Sequence, residues 1–139
     1  MIVIDCSALV TYFTDAGETG EQLRARLAGE DLLAAPYLLE VEFSSALFSM
    51  GKGKQPKLTT GEIDRHLKHY AQLRIEYHPA QPLWPRVRKL INNLSAYDAT
   101  YVALAEVLSV PLVTTDVRIA KGLGQQAKTI IETFPQPTT

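Results

Sequence analysis

A single cysteine, Cys6, rules out an intramolecular disulfide and fits a reducing cytosol, so a cytoplasmic location is expected. No apolar run is long enough to span a bilayer, and no membrane partner is expected. Nothing at the start resembles a signal peptide; the first strand is predicted to begin at residue 2, leaving no removable leader. Charge of one sign is also lacking: 14 basic against 15 acidic residues give a net charge of −1. That balance offers no global electrostatic argument for nucleic acid, while leaving a local basic patch open. His66, His69 and His78 fit no metal spacing with the acids. His66 and His69 share a helix face at i,i+3, which an exposed helix surface explains as well as any site. There is no internal repeat. What remains is a 139-residue chain, 46% hydrophobic and 21% charged, with the composition of a soluble globular protein. It is read as a single domain over 1–134 with a frayed tail over 135–139.

The chain alternates short apolar runs with amphipathic ones. Ile2-Val3-Ile4-Asp5 reads as a buried strand ending in a carboxylate, with Ser7 opening a helix. A second helix carries Leu23 and Leu27 on one face, and Gly29 follows it. Leu32–Ala35 reads as a second strand. Pro36 suits the first position of a long helix that Gly51 ends. Thr59 and Glu62 form a capping box opening a fourth helix to about Leu73. Ile75–His78 is a candidate third strand, and Pro82 and Pro85 bracket Trp84 before a helix carrying Val87, Leu90, Ile91 and Leu94. Tyr97–Leu108 reads as an amphipathic helix, Pro111–Asp116 as a strand ending in a carboxylate, and Thr129–Ile131 as the last strand. Strands alternating with helices predict a three-layer α/β/α sandwich with a mostly parallel central sheet and right-handed crossovers.

Four carboxylates stand out: Asp5 and Asp116 at strand ends, and Glu42 and Asp98 in stretches otherwise apolar or small. Each has an ordinary role open to it. Asp5 and Asp116 suit helix N-caps, Asp98 suits a capping box with Ser95, and Glu42 suits a solvated helix flank. Together, all four are placed to reach the carboxyl edge of a parallel sheet, where ligands bind in open α/β folds. Two carboxylates ~4 Å apart repel by about 1 kcal/mol in water and about 4 at an effective dielectric near 20. A cation usually neutralises such a cluster, and oxygen-only ligands point to Mg²⁺ or Mn²⁺ over zinc. An acidic site of that kind suits phosphodiester hydrolysis.

The segments IVIDCSALV, APYLLEVEFSSALF, LSAYDATYVALAEVLSVPLVTTD and VRIAKGL resemble a PIN-domain ribonuclease, more narrowly the VapC-type toxins of prokaryotic toxin–antitoxin pairs. The resemblance spans nearly the whole chain, and its most specific part is YDATYVALAE leading into PLVTTD. By position, Asp5, Glu42, Asp98 and Asp116 match the family's acidic metal-binding, catalytic residues. Ser7 and Thr114 match the hydroxyl residues that support them. The chain departs from the pattern at Cys6, where a small or apolar residue is usual, and at Ser45, where the middle motif has Asn. The resemblance implies a Mg²⁺- or Mn²⁺-dependent endoribonuclease with an RNA substrate, a homodimer, and a small antitoxin that blocks the site.

Glu40 is a second acid beside Glu42, but two residues apart on a helix they point about 200° away from each other. The stripe Leu38, Glu42, Ser45, Ser49 and the family pattern both select Glu42. Arg118 and Lys121 follow Asp116 closely enough to hold RNA phosphates, whereas Lys52, Lys54 and Lys57 read as a solvated turn. Tyr97, Trp84 and Tyr101 read as core or interface residues. Two rival readings stay open: a housekeeping RNA-processing nuclease without an antitoxin, and a catalytically silent binding module, against which the presence of all four acids counts. A phosphotransfer receiver would need a second acid beside the first strand, and a phosphatase would need Asp where Ser7 stands.

Overall fold

A computed structural model describes residues 1–137. Five strands form a single all-parallel sheet in the order β3-β2-β1-β4-β5: β1 (Ile2–Ile4), β2 (Leu33–Pro36), β3 (Ile75–His78), β4 (Leu112–Thr114) and β5 (Ile131–Thr133). The inner strands β1, β2 and β4 are buried throughout, as the continuous apolar runs of a doubly covered parallel sheet require. Helices α1 (Cys6–Thr14) and α2 (Glu18–Ala28) connect β1 to β2, and α3 (Leu38–Met50) and α4 (Thr60–Tyr70) connect β2 to β3. The chain then returns past β1 through α5 (Trp84–Leu90) and α6 (Ala96–Leu108), and α7 (Val117–Leu123) precedes β5. Right-handed crossovers running first one way and then the other put α1–α4 on one face and α5–α7 on the opposite face. The result is the expected three-layer sandwich.

The middle of helix α6 is buried on every side. Ala99 to Ala105 are all buried, because α6 lies against β1, β2 and β4 while α5 covers it outside. On α3 the buried stripe is Leu39, Phe43 and Leu47, an i,i+4,i+8 series. The Thr59–Glu62 capping box forms in both directions and starts α4.

Several boundaries differ from the sequence reading. Pro36 is not the first residue of α3; it ends β2 opposite His78, and Tyr37 takes the cap position. A proline is tolerated there because the strand terminates at it and Tyr37 supplies the next N–H, donated to the His78 carbonyl. The last strand starts at Ile131 and runs to Thr133, because its residues pair one by one with Leu112, Val113 and Thr114 of β4. Helix α5 stops at Leu90, which leaves Ile91 48% exposed. Of the C-terminal tail, Pro135 accepts a hydrogen bond from Thr19 and Gln136 donates one to Thr11, while residues 138–139 lie outside the described residues.

Candidate active site

The sheet order reverses at β1, where the chain first builds outward through β2 and β3 and then returns to add β4 and β5. The crevice beyond the carboxyl ends of β1 and β4 is therefore the topological switch point. Asp5 leaves β1 there, and Asp116 follows β4.

Asp5 is 4% exposed. One carboxylate oxygen accepts from the Ser7 hydroxyl at 2.8 Å and the Ala8 N–H at 2.9 Å, and the other from the Thr114 hydroxyl. Ser7 Oγ in turn accepts from the Thr115 N–H at 3.2 Å, and Thr114 Oγ1 accepts from the Asp116 N–H at 3.0 Å. The two strand-end loops are thus stitched together through Ser7 and Thr114. Burial nevertheless outweighs these donors and pushes the Asp5 carboxyl up to about 6; the charge of Asp98 adds to the rise.

Asp98 sits in the first turn of α6, which Ser95 caps by accepting the Asp98 N–H at 3.1 Å. Only this half of a capping box forms. Burial raises Asp98 above the carboxylate range, the Ser95 hydroxyl lowers it, the Asp116 charge raises it and Arg118 lowers it. Glu42 is half-buried on α3 and accepts from the Tyr101 hydroxyl at 2.7 Å. Burial raises it too, against the Tyr101 bond, and Asp98 again adds to the rise. Asp98 is thus the hub whose field reaches Asp5 and Glu42 and which feels Asp116. A cavity of about 290 Å³ opens beside it, lined in part by Ser95, Asp98 and Arg118.

Asp116 caps α7 by accepting the Arg118 N–H at 2.9 Å, and the Arg118 guanidinium grips both its oxygens at 3.0 and 2.8 Å. That hold keeps Asp116 below the usual carboxylate range. Among the described residues, no three His, Cys, Asp or Glu side chains are gathered closely enough to hold a metal ion. The donor set nevertheless fits a hard divalent cation: all are oxygens, and three of the four acids are raised by uncompensated burial. Burial pushes the Cys6 thiol up to about 12, and the charges of Glu42 and Asp5 add to the rise.

A PIN-domain family model matches residues 2–122. The chain belongs to the PIN-domain family. Ribonuclease VapC9 of Mycobacterium tuberculosis is 33% identical over 120 residues, which cover 86% of this chain and 89% of that protein. Among solved structures, PAE2754 from Pyrobaculum aerophilum superposes with a TM-score of 0.66 at 23% identity, over 87% of this chain and 84% of that one. VapC20 of Mycobacterium tuberculosis, a Sarcin-Ricin loop cleaving toxin, superposes with a TM-score of 0.63 at 13% identity, over 87% and 94% of the two chains. Both likenesses show the PIN fold.

Within this PIN domain, Glu42 faces the Tyr101 hydroxyl, whereas Glu40 is exposed and its charge reaches Tyr70 and Tyr77 instead. Lys121 is exposed on α7, and Arg118 is committed to Asp116. Tyr101 is a core residue, as expected, but its hydroxyl also holds Glu42, a role the sequence reading missed. The available signal was its i,i+3 spacing from Asp98 on one helix face. Trp84 and Tyr97 are 60% and 61% exposed and therefore are not core.

Proposed function

We propose that this chain is a Mg²⁺- or Mn²⁺-dependent endoribonuclease, the toxin of a toxin–antitoxin pair. The observation that carries the reading is the acidic network at the switch point, where burial raises Asp5, Glu42 and Asp98, the charge of Asp98 adds to the rise of the first two, and that of Asp116 adds to the rise of Asp98. Membership of the PIN-domain family and 33% identity to a VapC ribonuclease support it. Asp5, Glu42, Asp98 and Asp116 would hold the metal, which when bound supplies a more acidic water and offsets the phosphate's charge. Ser7 and Thr114 fix the orientation of the Asp5 carboxylate, and Tyr101 fixes that of Glu42. Arg118 and Lys121 offer cations to the RNA backbone at the same edge. The partners in this reading are RNA, a small cognate antitoxin and a second copy of the chain. It places one domain over 1–134 with a tail to 139 in the cytoplasm. Among the described residues, no helix is long and apolar enough to cross a membrane.

Producing the chain alone in a bacterial host and mapping new RNA ends tests this reading. Growth arrest with discrete new ends, both relieved by a well-folded Asp5→Asn variant, is the expected result. Arrest that persists in that variant overturns it.

A further inference from the structure

Helix α3 begins beside the acidic crevice: it follows β2, the strand paired with β1, and it carries Glu42. Its solvent side bears two aromatic rings. Tyr37, at the cap position, is 55% exposed, and Phe48 in the last turn is 50% exposed. Eleven residues make three helical turns, so the two stand on one face about 16 Å apart. Exposed Val41 lies between them on that face. Around the helix, the small and exposed Ser45 separates the stripe from Glu42.

Tyr37 is fixed in place. Its N–H donates to the His78 carbonyl at 3.1 Å, and its ring stacks on Tyr77 with 5.6 Å between centroids and 19° between planes. The Tyr77 hydroxyl is in turn bonded to that of Tyr70 at 2.6 Å. A ring braced on one face and more than half exposed leaves its other face to solvent.

The charge changes sign along α3. Both of its acids, Glu40 and Glu42, lie in its first two turns, whereas residues 43–61 contain three lysines and no acid. Lys52, Lys54 and Lys57 are exposed, and none is ion-paired among the described residues. Their turn is anchored: the Lys57 and Leu58 N–H groups both donate to the Met50 carbonyl, at 2.8 and 3.1 Å, and Leu58 is buried. Lys52 and Lys57 line a recess of about 260 Å³ there, with no carboxylate in its wall.

We propose that this face of α3, from Tyr37 to the Lys52–Lys57 turn, is the track for a single-stranded flank of RNA engaged at the acidic crevice. The inference rests on the ribonuclease reading above. Open aromatic faces stack on bases of any sequence, and unpaired cations follow the backbone; single strands are bound by the two together. At about 3.4 Å per stacked nucleotide, the distance between the rings spans several nucleotides. The free lysines favour RNA over a second copy of this chain, whose net charge of −1 offers little to meet them.

Fluorescence anisotropy of the wild-type chain in chelator, with a labelled single-stranded RNA of about 20 nucleotides, reads binding apart from cutting. Lys52→Gln, Lys54→Gln and Lys57→Gln combined should weaken binding roughly tenfold or more and reduce the slope of log affinity against log salt by about 2. Tyr37→Ser with Phe48→Ser should weaken it roughly tenfold or more, and far less on a duplex of the same sequence, whose bases are already stacked. Melting temperature and sedimentation of both variants are expected to match wild type. Unchanged affinity and salt slope in the lysine variant would overturn the track. So would a loss in the aromatic variant that accompanies the splitting of a dimer, because a second copy then covers this face. Cleavage of the same RNA by wild type in Mn²⁺ is scored separately. Cutting without any effect of the lysines sinks the track alone, and lysine-dependent binding without cutting sinks the ribonuclease reading alone.

Discussion

Tyr101 reaches Glu42 from inside the core: its ring is 2% exposed, yet its hydroxyl lies 2.7 Å from Oε1 of a half-buried glutamate on another helix. Tyr101→Phe removes the donor and keeps the ring, so packing survives while Glu42 loses the bond that lowers it. A stability loss of about 1 kcal/mol is expected, with a larger proportional fall in RNA cleavage. Denaturant melts and initial rates on a labelled RNA read the two effects separately.

Glu42 and Glu40 should behave as opposites. Glu42→Gln is expected to lower turnover by orders of magnitude. Glu40→Gln, at an exposed position, should change it by less than roughly tenfold and shift stability by under ~0.5 kcal/mol. Comparing the two variants at matched helical content checks this. If the Glu40 variant is the inactive one, Glu42 leaves the site.

Asp116 and Arg118 form a two-point ion pair at the edge of the acidic crevice. A cation seeking Asp116 competes with that guanidinium. Arg118→Ala should therefore bring Mn²⁺ binding to lower concentrations in the absence of RNA, read as the midpoint of metal-induced thermal stabilisation. An unchanged midpoint would place Asp116 outside the metal's reach.

Burial raises Asp5 from an ordinary 3.8 to about 6. The folded chain holds that proton more tightly than the unfolded chain does. The resulting stability is complete below the unfolded value and lost as pH climbs through about 6. Asp5→Asn has no such slope. Without metal, wild-type stability relative to the variant should fall by on the order of 3 kcal/mol between about pH 4 and pH 7. Chemical denaturation in chelator across that range measures it.

The fold was legible because its inner strands are short continuous apolar runs and its helices carry clear start signals, such as the Thr59–Glu62 box. Pro36 misled because proline suits both a helix start and a strand end, and only the pairing with His78 decides between them. The last strand slipped because Thr129-Ile130 looks β-prone in isolation, while its backbone partners lie in β4. The acids Asp5 and Asp116 could be placed from the sequence, since strand ends in a parallel sheet share one edge. What no spacing rule reveals is side-chain pairing between distant elements. Glu42 meets Tyr101 across 59 positions, and Asp5 meets Thr114 across 109.

The central claim is that four acids from separate elements form one divalent-cation site. Thermal melting of the wild-type chain in chelator and in millimolar Mn²⁺, alongside Asp98→Asn, tests it most directly. The account predicts a clear rise in melting temperature on adding Mn²⁺ to wild type, because a ligand that binds only the folded state stabilises it. It predicts that most of the rise disappears in Asp98→Asn, the hub of the acidic network. A melting temperature unmoved by Mn²⁺, or a rise that Asp98→Asn leaves intact, would contradict the shared site.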